Sequence, residues 1–153
     1  MINAYRGEVL LEINECSISL RPTLQRLACA EAILGEGASK WENLPKEKQV
    51  ELLSCFLDKA YDESVLQKAV EMQWDALHAF FIRYQEAMPW QKMMEVGFSV
   101  LGLSSDTFWN MTLAEYCAAI CGHTQLYEDG DEAPLDTEIV SDLRDLLQKN
   151  TAC

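Results

Sequence analysis

Val9-Leu10-Leu11-Glu12-Ile13-Asn14-Glu15-Cys16-Ser17-Ile18-Ser19-Leu20 is the stretch that decides the fold. In its first arm Val9, Leu11 and Ile13 alternate with Glu8 and Glu12; in its second, Cys16, Ile18 and Leu20 alternate with Ser17 and Ser19. An apolar period of two on either side of a polar break predicts two strands joined by a turn. A two-residue loop at Asn14-Glu15 pairs 13 with 16, 11 with 18 and 9 with 20. That register puts all six apolar residues on one face, which must then be covered. Asn14 suits a tight turn, whereas Glu15 stands where glycine would be easier. Leu10 is left on the polar face.

Helices follow. Thr23 caps one that runs to about Leu34, and Gly35 stops it by accepting a left-handed conformation. Its stripe is Leu24, Leu27, Ala28 and Leu34. Glu31 falls on the same stripe, so either the stripe's edge is wet or the carboxylate has a specific task. Gly35-Glu36-Gly37-Ala38-Ser39 is a connector. Pro45 opens a second helix that extends to about Tyr61, with Val50, Leu53, Phe56, Leu57 and Ala60 inward. A third spans roughly Glu63 to Ala87 on a stripe of Leu66, Ala69, Val70, Gln73, Leu77, Phe80 and Tyr84, flanked by Trp74 and Phe81. Pro89 ends or redirects it.

Beyond Pro89 the pattern is a compact helical unit. Trp90, Met93, Met94, Gly97, Phe98 and Leu101 form one face, closed by Gly102. Ser104 or Ser105 caps a short turn carrying Phe108 and Trp109. Thr112 with Glu115 spells a capping box for a helix lined by Leu113, Tyr116, Cys117, Ile120 and Cys121 and ended by Gly122. Glu128 to Pro134 reads as a solvated linker. Asp136 to Lys149 keeps a helical period through Ile139, Leu143, Leu146 and Leu147. That amphipathic tail is either docked on its own domain or held for a partner. The expected class is therefore α+β, mostly α: an N-terminal β-hairpin followed by helices, then a small all-α C-terminal unit. The expected divisions are residues 1–87, 88–123 and 124–153.

The chain has 153 residues, is 49% hydrophobic, and carries a formal net charge of -13. Such acidity argues against nucleic acid and against anionic membrane surfaces as partners. No secretory leader is legible at the start, and the longest uncharged run, Tyr116 to Tyr127, is too short to span a bilayer. These features read as cytoplasmic. The six cysteines are scattered, and are expected to be small buried hydrophobes plus a free thiol at Cys153.

Chemistry is sparse. Cys117, Cys121 and His123 have a spacing that could hold zinc, but no second ligand pair accompanies them and the two thiols continue an apolar stripe. His78 lies beside an inward stripe without a nucleophile motif. The run from Gly35 to Lys40 follows a helix rather than a strand and lacks phosphate-loop spacing. The acids at Glu128–Glu132 lack the spacing of a calcium loop. No enzyme, cofactor or metal site is expected.

Arg6-Gly7-Glu8-Val9, the hairpin, Leu20-Arg21-Pro22-Thr23 and the helix ending Leu34-Gly35 resemble the N-terminal family of small tail proteins of gene transfer agents and related siphophages. Gly97 to Gly122, with Leu101-Gly102-Leu103-Ser104, Phe108-Trp109, Met111-Thr112 and Glu115, resembles a second small phage family encoded beside it. Both are regarded as tail assembly chaperones. The resemblance covers about residues 3–85 and 88–123, here in one continuous frame. It implies a non-enzymatic role in the bacterial host cytoplasm, coating the tape measure protein and bringing tail tube protein to it, with possible self-association. The side chains expected to meet partners are Met93, Met94, Phe108, Trp109, Glu31, Leu143 and Leu147. The competing reading is a phage-derived acidic interaction or inhibitor module.

Overall fold

The computed structural model describes residues 4–13, 15–35, 41–84, 87–128, 140 and 143–145. Strands β1 (Val9–Ile13) and β2 (Cys16–Leu20) form a two-stranded antiparallel sheet. The pairs are Val9↔Leu20, Leu11↔Ile18 and Ile13↔Cys16, the register that a two-residue loop imposes. Leu11, Ile13, Ile18 and Leu20 are buried, Val9 is half-buried and Cys16 is exposed. The hairpin is thus sealed at its base and open at its tip. Leu10 lies on the exposed face, as its place in the alternation requires.

Helix α1 (Leu24–Leu34) starts at Thr23, whose hydroxyl accepts the Arg26 N–H, and closes on Gly35 at φ 75°. Its buried residues are Leu24, Leu27 and Ala30, with Ala28 and Leu34 at the margin. The connector residues 36–40 lie outside the described residues. A 3-10 turn at Trp41–Asn43 follows, then α2 (Lys46–Ser54).

The expected continuation of α2 to Tyr61 does not occur. Residues past Ser54 are drawn onto the hairpin instead: Arg21 N–H donates to Phe56 O at 2.9 Å, and Leu57 bridges Leu20. The Arg26 guanidinium holds the same junction, donating to Arg21 O and Phe56 O and pairing with Asp58 at 2.8 Å. Phe56 remains buried, but Ala60 is exposed. Pairing the outer edge of β2 outweighs two further turns of helix.

The long third helix is instead two, α3 (Glu63–Met72) and α4 (Trp74–Phe81), with a 3-10 turn at Ile82–Tyr84. The bend falls at Gln73 (φ -115°, ψ 30°), whose side-chain amide donates to Glu12 O of β1 at 2.8 Å. Bending lets α3 lie against the hairpin while α4 turns Phe80 and Phe81 into the core. Phe81, expected at the flank, is buried and stacks on Trp41 with ring centroids 4.1 Å apart.

Helix α5 (Trp90–Glu95) begins at Pro89 and runs into a π-helical turn, Val96–Val100, closed by Gly102 at φ 63°. The wide turn rotates the face by part of a residue step. Val96 becomes fully buried and Phe98, expected inward, is exposed. Helix α6 (Ser105–Asn110) is capped by Ser104, whose hydroxyl accepts the Thr107 N–H. Helix α7 (Leu113–Glu128) continues past Gly122, its expected end. An interior glycine costs about 1 kcal/mol relative to alanine. Burial of Ile120 and Thr124 on either side carries the helix through, the Thr124 hydroxyl donating to Ile120 O.

One buried cluster runs from the hairpin through α4 and α7 to Val140 and Leu143. Those two residues therefore dock on the chain's own core; Glu128, expected to begin a linker, is the last residue of α7, and residues 129–139, 141–142 and 146–153, including Leu147, lie outside the described residues. The cysteines depart from expectation. Cys16 and Cys29 are exposed, Cys55, Cys117 and Cys121 are half-buried, all five are free thiols, and Cys153 is outside the described residues. Among the described residues no helix is long and apolar enough to cross a membrane.

Candidate functional site

Arg6-Gly7-Glu8 and the Thr112–Glu115 box meet in space, with Arg6 and Glu115 109 positions apart in the chain. A 3-10 turn at Ala4–Arg6 delivers Arg6 to the entrance of α7. There its Nη2 donates to Glu115 Oε2 at 3.1 Å, and its Nε lies 2.7 Å from Glu115 Oε1 as an ion-pair contact rather than a second hydrogen bond. Gly7 then turns the chain into β1 at φ 73°. A Cβ there would stand 3.0 Å from the Tyr84 hydroxyl and 3.3 Å from Pro22 Cγ, so both the backbone angle and the space call for glycine. Glu8, almost buried, faces Arg6 Nη1 at 3.4 Å and Arg21 Nε at 3.5 Å.

From the other side, Thr112 and Glu115 form the expected capping box. Thr112 N–H donates to Glu115 Oε2 at 2.8 Å, and Glu115 N–H donates to Thr112 Oγ1 at 3.3 Å. The backbone closes the seam: Leu24 N–H, at the start of α1, donates to Met111 O at 2.9 Å, and Thr23 bridges Thr112. Partial burial of Glu115 would by itself raise its carboxyl pKa. The Thr112 N–H and the Arg6 guanidinium outweigh that and hold it below the ordinary 4.5. Two arginines and two glutamates thus cancel. A part-exposed network of this kind contributes less to stability than to fixing how the two regions sit.

Beside the seam, Glu31 has the specific task its position on the α1 stripe suggested. Its Oε2 accepts the Trp90 indole N–H and, at 3.5 Å, the Met88 N–H, so the carboxylate holds the start of α5. Trp90 in turn faces Trp109, ring centroids 6.0 Å apart. The core of this unit is tighter still. Phe108 and Tyr116 are fully buried with their rings edge to face, and the Tyr116 hydroxyl donates to Met93 O at 2.7 Å. Burial, with Cys117 adjoining, pushes the Tyr116 phenol well above its ordinary value, so it stays a neutral donor. A Cβ on Gly97 would lie 2.8 Å from Phe108 Cδ2, which explains the glycine at that helical position.

The residues expected to contact partners divide accordingly. Met93, Phe108 and Leu143 are fully buried and serve the chain's own core. Met94, Trp109 and Glu31 are half-buried. Leu147 is outside the described residues. Sequence reasoning missed Trp41, which is buried although it follows a connector and belongs to no periodic stripe. It also missed the Arg6–Glu115 pair, which no local pattern announces.

Among the described residues the side chains singled out for chemistry stand apart from one another. His78 stacks on Trp74 and places Nδ1 3.7 Å from Glu42 Oε2. Cys117, Cys121 and His123 are all half-buried along α7. Among the described residues no group of three His, Cys, Asp or Glu side chains is placed to hold a metal ion.

Compared with known proteins, the chain matches no curated protein and no solved structure. Residues 88–146, which include α5 to α7 and one side of the seam, match the family model described as phage tail assembly chaperone protein, TAC. That likeness supports a chaperone role in phage tail assembly and protein partners within it.

Proposed function

We propose that this chain is a non-enzymatic tail assembly chaperone that shields the tape measure protein and recruits tail tube subunits to it. The observation that carries this reading is the family match over residues 88–146. Its structural support is that α5 to α7 are braced against the hairpin region by Arg6–Glu115 and Leu24–Met111. On this reading, the pieces that resemble two adjacent phage families act as one body. The division into 1–87, 88–123 and 124–153 then marks segments of distinct composition joined across the seam.

A tape measure chain exposed before the tube closes around it presents apolar helical stripes that would aggregate. A partner with a net charge of -13 keeps such a complex dispersed. Half-buried Met111 at the seam, with half-buried Met94 and Trp109 on the same helical unit, offers adaptable apolar contacts. Distributed contacts of this kind are weak enough for tube subunits to displace. The test is co-expression with a phage tape measure protein from the same genome. Co-purification that keeps the tape measure protein soluble is expected, whereas a tape measure protein that stays insoluble and unbound would overturn the reading.

A further inference from the structure

The outer edge of β1 is covered at Glu12, where Gln73 and the end of α3 meet it, and open at Leu10, where it is apolar. In the observed register residues 9, 11 and 13 bond across to β2, so the backbone N–H and C=O groups of Leu10 and Glu12 point away from the sheet. The other edge of the hairpin is covered by the Leu20↔Leu57 bridge, by Arg21 N–H on Phe56 O, and by the Tyr61 hydroxyl on Ser17 O. On the β1 side, Gln73 takes Glu12 O, while among the described residues the outward groups of Leu10 have no partner. Edge strands are ordinarily guarded by lysine, proline or a covering element. Here the residue at the opening is a leucine, 44% exposed.

Its neighbours extend the patch. Of six large apolar side chains left exposed among the described residues, Leu10, Met72 (58%) and Trp74 (37%) lie within two positions of the Gln73–Glu12 hydrogen bond. Trp74 is backed by Trp41 and His78, with ring centroids 6.0 and 6.3 Å away, so its indole is a supported platform. The surrounding charge is negative. Glu8 is matched by Arg6 and Arg21, and Glu71 by Lys46. Exposed Glu12, Glu15 and Asp75 form no ion pair among the described residues.

We propose that the outer edge of β1 receives an extended, positively charged segment of a partner protein, which adds a strand at Leu10. Its backbone pairs with the Leu10 N–H and C=O, its alternate apolar side chains meet Leu10, and its lysines or arginines face Glu12, Glu15 and Asp75. A second copy of this chain is the poorer occupant, because it would bring the same acidic edge to the site. The proposal deepens the chaperone reading and rests on it only in that the chain acts by holding another polypeptide.

The probe is a fluorescent, capped peptide alternating lysine and valine, titrated into the full-length chain, with a glutamate–valine peptide as control. Saturable binding of the basic peptide is expected. Amide hydrogen exchange at Leu10 should slow at least tenfold on binding, and Leu10→Lys should weaken binding at least tenfold while leaving the circular dichroism unchanged. Equal binding of the acidic peptide would overturn the proposal, as would absence of saturable binding or indifference to Leu10→Lys. So would light scattering that shows a dimer dependent on Leu10 in the absence of peptide. Since the peptide is synthetic, failure here leaves the tape measure co-expression result unaffected, and the reverse holds too.

Discussion

The hairpin region and the C-terminal helical unit are built by opposite means. Residues 4–84 rely on long-range capture: α2 ends where β2 recruits Phe56 and Leu57, and α3 bends where Gln73 reaches Glu12. Residues 87–128 rely more on local instructions: Ser104 caps α6 and the Thr112–Glu115 box opens α7. A region organised by local caps can be delimited from its own sequence. One organised by capture takes its boundaries from whatever it touches. The seam at Arg6–Glu115 joins the two styles, since the carboxylate that completes a local cap also takes a distant guanidinium.

The most forceful way to break this contrast is Phe108→Ala. Phe108 is fully buried among Phe98, Trp109 and Tyr116. Truncating a buried phenylalanine costs about 3–5 kcal/mol. If the seam couples the regions, hydrogen exchange in β1 and α7 should accelerate together; loss of protection in α7 alone would show that they unfold separately. Gly97→Ala comes next. Its new methyl group meets Phe108 at 2.8 Å, and overpacking of this kind costs about 1–3 kcal/mol, read as a lower urea midpoint at unchanged slope.

The seam itself is tested by Glu115→Gln and by acid. Loss of the charged partner to Arg6 should lower stability by about 1 kcal/mol, with thermal melting as the readout. Because Glu115 titrates below 4.5 in the folded chain, its contribution is complete above that value. It disappears as the pH falls through the lower, folded-state value. The wild-type chain should therefore lose more stability on acidification than Glu115→Gln does, and equal losses would remove the carboxylate from the account. The smallest effect has the opposite sign. Gly122 is exposed within α7 with nothing within 4 Å of a Cβ, so Gly122→Ala should stabilise the chain by up to about 1 kcal/mol. Unchanged melting would mean that α7 is frayed at that point.

Much of the fold is legible in the sequence. The alternation in residues 9–20 dictated the hairpin and its register. Thr23, Gly35, Ser104, Gly102 and the Thr112–Glu115 box marked helix ends that the structure keeps. Two departures, at Phe56–Leu57 and at Phe98, share an origin, a local period carried past the point where another element intervenes, while at Gly122 burial overrides a local stop signal. Phe56 and Leu57 suit a helix stripe and also an edge of the hairpin, and only the nearness of β2 decides. Phe98 fits a face of period 3.6, but the π turn shifts that face, and packing of Val96 and Gly97 against Phe108 and Tyr116 decides. Gly122 looks like a stop until Ile120 and Thr124 are seen to be buried.

What the amino-acid order determined unaided is whatever depends on neighbours within about four positions: strand alternation, caps, turn glycines and the acidic balance. Those effects act through the backbone's own steric and hydrogen-bonding preferences, which need no distant partner. Tertiary structure alone decided that Arg6 finds Glu115, that Glu31 binds the Trp90 indole, and that Leu10 is left at an open edge. Such pairings join residues far apart in the chain. Their energies exist only after the core has brought those residues together, so no local pattern encodes them.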